Sequence, residues 1–169
     1  MSTLRDTVLF GLDAELASTR RVLEAVPTDQ LDWRPHPKSF ALGSLAAHIA
    51  NLVAWQTMIL QTDSLDLSVP IPRNEPAAST AALLETFDGN VEALRAALAT
   101  ADDAHLGTTW ALRHGAHEIA AAPRVQMMRG MGGLSHLVHH RGQLTVYLRL
   151  LDVPVPGVYG PSADDGRTG

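Results

Sequence analysis

Pro123-Arg124-Val125-Gln126-Met127-Met128-Arg129-Gly130-Met131-Gly132-Gly133-Leu134-Ser135-His136-Leu137-Val138-His139-His140-Arg141-Gly142-Gln143-Leu144 is the stretch on which the fold turns. Pro123 suits the first turn of a helix, where its missing N–H is not needed. Read as one helix, the segment continues to Leu151 and stops before Pro154 and Pro156. At about 1.5 Å per residue it would span roughly 43 Å. Gly130, Gly132, Gly133 and Gly142 lie inside it, and each glycine costs a helix roughly 0.5–1 kcal/mol relative to alanine. Close helix packing, or room for a ligand, has to compensate.

Three further helices precede it. Leu83, Leu84, Phe87, Val91, Leu94 and Leu98 make an apolar stripe, and Ser79 is placed to cap a helix ending near Thr100. Leu45, Ile49, Leu52, Gln56 and Ile59 mark the face of a helix over about Ala41 to Gln61, with His48 on the same face. Leu4, Val8, Leu12 and Leu16 step by four and predict a first helix from about Thr3 to Ala25, stopped by Pro27. Residues 62 to 78, with prolines at 70, 72 and 76, read as a long linker. Trp110-Ala111-Leu112 and Glu118-Ile119 predict a short hairpin around His114-Gly115. Together these predict an all-α four-helix bundle with a long crossover between helices 2 and 3. The chain reads as one domain over residues 1–169, with an extended tail from about residue 152. Val153, Val155, Val158 and Tyr159 make that tail too apolar for a solvated linker, so it is expected to be ordered against the bundle.

Eight histidines stand out in a chain that has no cysteine. His136 and His140 are four residues apart, so both face one way from a helix, with Cβ atoms about 5–6 Å apart. Two imidazoles at that spacing can converge on one metal ion. The zinc-protease helix signature is not met, because Leu137 rather than Glu follows His136. A third ligand must come from another helix. His48 is the candidate, since an unpaired imidazole on an apolar face costs energy. The plainer reading of each histidine, a hydrogen-bonded core residue, stays open on spacing alone. His139 points about 100° away from His140 and faces another surface. His36, His105, His114 and His117 read as solvated loop residues. Gln143 and Tyr147 lie near the metal face by helical spacing and read as packing or supporting residues, while Arg141 reads as a structural ion pair.

The composition bounds the function. With 46% hydrophobic and 18% charged residues the chain should fold, and with 5% aromatics its core must be Ala, Leu and Val. Absence of cysteine excludes disulfides, thiolate metal sites and a cysteine nucleophile. A net charge of -5 argues against nucleic acid as a partner. His48, Asn51 and Gln56 interrupt the most apolar window, which argues against a membrane span. Charges recur early, at Arg5, Asp6, Asp13 and Glu15, so no secretory signal is expected and the protein reads as cytoplasmic.

Several blocks resemble the DinB/YfiT-like family of metalloenzymes. They are Leu31-Asp32-Trp33-Arg34-Pro35-His36-Pro37-Lys38-Ser39, Leu45-Ala46-Ala47-His48-Ile49, and His136-Leu137-Val138-His139-His140-Arg141-Gly142-Gln143-Leu144 with Tyr147-Leu148-Arg149. Pro154-Val155-Pro156 and Tyr159-Gly160-Pro161-Ser162-Ala163-Asp164 are similar to its close members. The resemblance implies a four-helix bundle, a homodimer, and a divalent metal ion, zinc or nickel first among several, held by His48, His136 and His140. Ser135 stands where many relatives carry Asn. Relatives in the wider superfamily look like thiol S-transferases or a thiol-dependent isomerase. The expected function is therefore a metal-dependent enzyme, thiol S-transferase-like or hydrolase-like, acting on a small molecule with a low-molecular-weight thiol as a possible cosubstrate. The rival is a non-catalytic, stress-associated bundle braced by the metal.

Overall fold

The computed structural model describes residues 3–70 and 76–166. Two short helices open the chain, α1 (Leu4–Leu9) and α2 (Leu12–Glu24). In α1 the Thr3 hydroxyl accepts from Asp6 N while the Asp6 carboxylate accepts from Thr3 N, both at 2.9 Å. This reciprocal pair satisfies two orphan amides of the first turn. The single helix predicted from Thr3 to Ala25 is thus broken in two. Gly11 sits between the halves at φ 76, a left-handed conformation that ends one helix and starts the next.

A single 3₁₀ turn at Thr28–Gln30 and an irregular loop lead to α3 (Leu42–Gln61). The loop is tied to the start of α3, with Leu42 N donating to Trp33 O and Gly43 N to Leu31 O, each at 2.8 Å. Next come β1 (Ser64–Asp66), α4 (Thr80–Thr100), α5 (Asp103–Gly107), β2 (Thr109–His114), β3 (His117–Pro123), α6 (Arg124–Arg129) and α7 (Leu134–Leu150). Ser79 caps α4 as its sequence suggests, its hydroxyl accepting from Ala82 N at 3.2 Å.

The expectation of an all-α four-helix bundle is wrong. Strands β1, β2 and β3 form a mixed sheet in that order, among the described residues. β1 runs parallel to β2, pairing Ser64 with Ala111 and Asp66 with Arg113. β2 and β3 form the antiparallel hairpin expected around His114-Gly115, with a bulge between Leu112 and Arg113. The physical reason is that Trp110, Ala111 and Leu112 of β2 are buried and need a partner strand on each side. So the stretch read as a linker supplies an edge strand. Of its prolines, Pro72 lies outside the described residues.

The last segment departs from expectation too. It is not one helix from Pro123 to Leu151 but α6 and α7, broken across Gly130–Gly133. A Cβ at Gly133 would lie 1.8 Å from the Met128 carbonyl oxygen, and one at Gly132 would lie 2.7 Å from Ile59 Cδ1. The glycines therefore let the chain turn tightly against the end of α6 and pass close to Ile59 of α3, rather than weaken a continuous helix. Nothing in the structure explains Gly142, around which a Cβ would meet open space.

The long helices enclose the core. α3 packs against α4 and α7, and α2 packs against the same two helices. Leu45, Ile49, Leu52 and Val53 of α3 meet Leu94 of α4 and Leu137, Leu144 and Leu148 of α7 in one buried cluster. Among the described residues, no helix is long and apolar enough to cross a membrane. The tail lies against the bundle. Val155 is buried, Val153 and Val158 lie against the core, and Asp164 accepts from Arg149 and from Val155 N.

Candidate metal centre

Two helices supply the three histidines. His48 sits in the second turn of α3 between Leu45 and Leu52, both of them fully buried, so that stretch of α3 is held in place by the core. His136 lies in the first turn of α7 and His140 one turn on. The contact between α3 and α7 brings the trio together. Ring centroids are 5.3 Å apart for His48 and His136, 4.6 Å for His48 and His140, and 4.7 Å for His136 and His140. One nitrogen from each ring lies within 4.8 Å of the others.

The rings are half-buried, and burial sets their protonation. It holds His48 down to about 4, helped by the charges that His140 and His136 would carry. His136 is also lowered, first by burial and then by His140, against the opposing pull of the Met131 backbone. Burial lowers His140 too, against the opposing pull of the Gln143 side chain. At neutral pH all three rings are therefore neutral, which is the form that ligates metal.

The donor set fits a divalent ion. Neutral imidazoles suit zinc, nickel and copper. His136 Nε2 and His140 Nε2 lie 2.9 Å apart, where nitrogens of a tetrahedral zinc site with bonds of about 2.0–2.1 Å stand roughly 3.3 Å apart. A small ring rotation makes up the difference. His136 Nδ1 is buried with no hydrogen-bond partner, a polar atom the protein alone leaves unserved. Among the described residues, no carboxylate and no fourth histidine joins the group.

Neighbouring residues frame the site. His140 Nδ1 donates to Gln143 Oε1 at 2.7 Å. The exposed Phe40 ring stacks on His48 at 6.2 Å and 20°. Tyr147 donates its hydroxyl to the Phe40 carbonyl at 3.3 Å and meets the Trp33 ring edge-on at 5.8 Å. Phe40 was not read from the sequence, although it stands only eight residues before His48. Its position at the end of the proline-rich loop, immediately before α3, is the signal that was there.

The remaining histidines stay apart. His139 is exposed and touches His140 edge-on at 4.8 Å without entering the trio. His36 is exposed, and its Nδ1 accepts from Lys38 N. His105 is not a solvated loop residue: it lies on α5, and its Nε2 binds the Leu60 carbonyl at 2.7 Å. His114 and His117 sit exposed at the ends of β2 and β3. Ser135 donates to the Arg129 carbonyl at 2.8 Å and so helps tie α7 to α6.

The DinB family model matches residues 1–168. The chain belongs to the DinB family. A DinB-like protein from Bacillus cereus ATCC 10987, solved by crystallography at 2.01 Å resolution, has the same fold with a TM-score of 0.68. It is 23% identical, over 90% of this chain and 95% of that one. The uncharacterized protein YrdA of Bacillus subtilis (strain 168) is 26% identical over 163 residues, which is 95% of this chain and 90% of YrdA. As a DinB-family protein, the chain carries a three-histidine group able to bind a metal ion.

Proposed function

We propose that this DinB-family protein is a divalent-metal-dependent enzyme, thiol S-transferase-like or hydrolase-like, with His48, His136 and His140 as its protein ligands. The observation that carries the reading is the convergence of one nitrogen from each of three neutral, half-buried rings within 4.8 Å, with no fourth protein ligand among the described residues. Structural zinc sites are usually closed by four protein ligands, whereas catalytic sites keep three and leave a position open. An ion there supplies Lewis acidity, lowering the pKa of a water or thiol at the open position. The protein's own residues do the rest. α3 and α7 hold the rings, Gln143 orients His140, and the exposed Phe40 offers an apolar wall beside His48 to a small electrophile. Zinc and nickel are the first ions to test.

Metal analysis of protein purified without an affinity tag, followed by turnover assays with low-molecular-weight thiols and small electrophiles, tests the reading. About one ion per chain and thiol- or water-dependent turnover is expected. A tightly bound ion with no turnover across the screen would overturn the enzyme and leave the metal as a brace between α3 and α7. A homodimer belongs to the same proposal. What supports it is the outer face of α7, where Val146 and Leu150 are 57% and 58% exposed. A monomer in sedimentation at micromolar concentration contradicts that part.

A further inference from the structure

We infer that Phe40 is a specificity-determining residue of the proposed metal centre. Its ring selects a substrate that carries a planar group, aryl or conjugated, beside the reacting atoms over one that carries a saturated chain. The inference rests on the metal-site reading above and deepens it by naming a substrate class.

Phe40 is held firmly and left uncovered. Ala41 and Leu42, which follow it, are buried. Leu42 N donates to Trp33 O at 2.8 Å, which ties the start of α3 back to the far end of the proline-rich loop. From α7 the Tyr147 hydroxyl reaches the Phe40 carbonyl, and the Trp33 ring meets Tyr147 edge-on. The helices α3 and α7 are also the ones that carry the three histidines. The backbone of Phe40 is therefore fixed to the same frame as the candidate ligands. Its ring nevertheless stays 55% exposed. Apolar surface left in water contributes little to folding, and whatever covers it gains the burial. Since the backbone is already ordered and a phenyl ring has few rotatable bonds, little conformational entropy is lost when a ligand lies on it.

The orientation of the ring points to the substrate class. Phe40 lies nearly parallel to His48, at 20° with centroids 6.2 Å apart. His136 and His140 meet the same imidazole at 65° and 84°. The trio is thus built edge to face, while the border with Phe40 presents two ring planes of almost the same tilt. A flat group lying on Phe40 is oriented like the His48 ring as well. An aryl or conjugated group has such a plane, and aromatic pairs gain beyond the area they bury. A saturated chain gains the burial alone. Discrimination between the two is a difference in affinity that the ring creates.

Hydroxamates that share one zinc-chelating head and differ in the tail test this on the full-length protein saturated with Zn²⁺. The probes are acetohydroxamate, cyclohexanecarbohydroxamate, which is bulky and apolar but not flat, and benzohydroxamate, which is flat. Calorimetric titration should rank benzohydroxamate tightest in the wild type. Phe40→Ala is the reference, because the chemistry of the hydroxamates is the same in both proteins. The ratio of benzohydroxamate to cyclohexanecarbohydroxamate affinity should be about 3–10-fold higher in wild type than in Phe40→Ala. Ratios are taken within each protein, so any change in the affinity of the shared head cancels. Phe40→Tyr keeps an aromatic ring and should retain the wild-type ratio. Phe40→Leu keeps apolar bulk alone and should match Phe40→Ala. Equal ratios in wild type and Phe40→Ala overturn the inference. So does a wild-type ratio in Phe40→Leu, which would make bulk rather than planarity the selector. A zinc-loaded protein that binds none of the hydroxamates overturns it too and leaves the metal in place. A protein that takes up no Zn²⁺ overturns the metal-site reading and this inference with it, a result that metal analysis gives before any hydroxamate is added.

Discussion

His140 and Arg141 are neighbours in sequence and belong to opposite kinds of polar cluster. Arg141 is 2% exposed and turns toward α2 and the tail. Its guanidinium donates to the Glu15 carbonyl at 3.1 Å, to Thr19 Oγ1 at 3.2 Å and to Tyr159 Oη at 2.9 Å. It also pairs with Glu15 Oε2 at 2.6 Å, while Tyr159 Oη donates to Glu15 Oε1 at 2.9 Å. The charges are paired inside the cluster, with Glu15 Oε2 facing Arg141 as an ion pair rather than through a hydrogen bond, so the cluster calls for no ion from outside. His140 turns toward α3 and faces two more imidazoles, groups that cannot all satisfy one another. The lesson is that burial alone does not mark a functional site. A closed polar network holds the fold together, and an open one has chemistry left over.

Removing a partner from the closed network should have the largest effect. Arg141→Ala strands Glu15 without its cation, and the loss is expected at about 3–5 kcal/mol, read as a lowered denaturation midpoint. A loss under about 1 kcal/mol would show the network to be dispensable. On the open side the readout is metal. His48→Ala, His136→Ala and His140→Ala should each abolish stoichiometric binding in metal analysis, whereas His139→Ala should leave it nearly intact. An emptied site in His139→Ala with a full one in His136→Ala would break the register assigned to α7.

A smaller effect separates the clusters by pH. His48 is held down to about 4 in the native protein against an ordinary value of 6.5, so between these values the unfolded chain binds a proton that the native one refuses. Unfolding then takes up protons, and stability of the metal-free protein rises with pH across that window. It should be lost progressively as pH falls from about 6.5 toward 4, and His48→Ala should flatten the slope in denaturant titrations with chelator present. The smallest change is Tyr159→Phe. It deletes one hydroxyl from the closed network, at about 1 kcal/mol, and leaves metal binding untouched. An altered metal content in that variant would show the two clusters to be coupled.

Much of this was legible in the residues. The i,i+4 spacing of His136 and His140 and the placement of His48 among leucines point to the trio that the structure brings together, while leaving each ring's plainer core reading open. Ser79, the stripe from Leu83 to Leu98 and the hairpin residues placed their elements correctly. The helix breaks were not legible, because apolar periodicity continues across Phe10-Gly11 and across Gly130–Gly133 while the backbone does not. β1 escaped notice because three residues are too few to show alternation, and its pairing is fixed by β2 rather than by its own sequence. The contact between His140 and Gln143 needed distances.

The parallel pairing of β1 with β2 also constrains the order in which the chain can assemble. Ser64 must find Ala111 across all of α4 and α5, whereas β2 finds β3 through the turn at His114–His117. Closing the longer loop costs more chain entropy before any contact repays it. The hairpin is therefore expected to form early and to wait as a template, with β1 docking only after α4 has packed on α3. Amides of Leu65 and Leu67 should accordingly gain protection from hydrogen exchange later during refolding than those of Trp110 and Leu112.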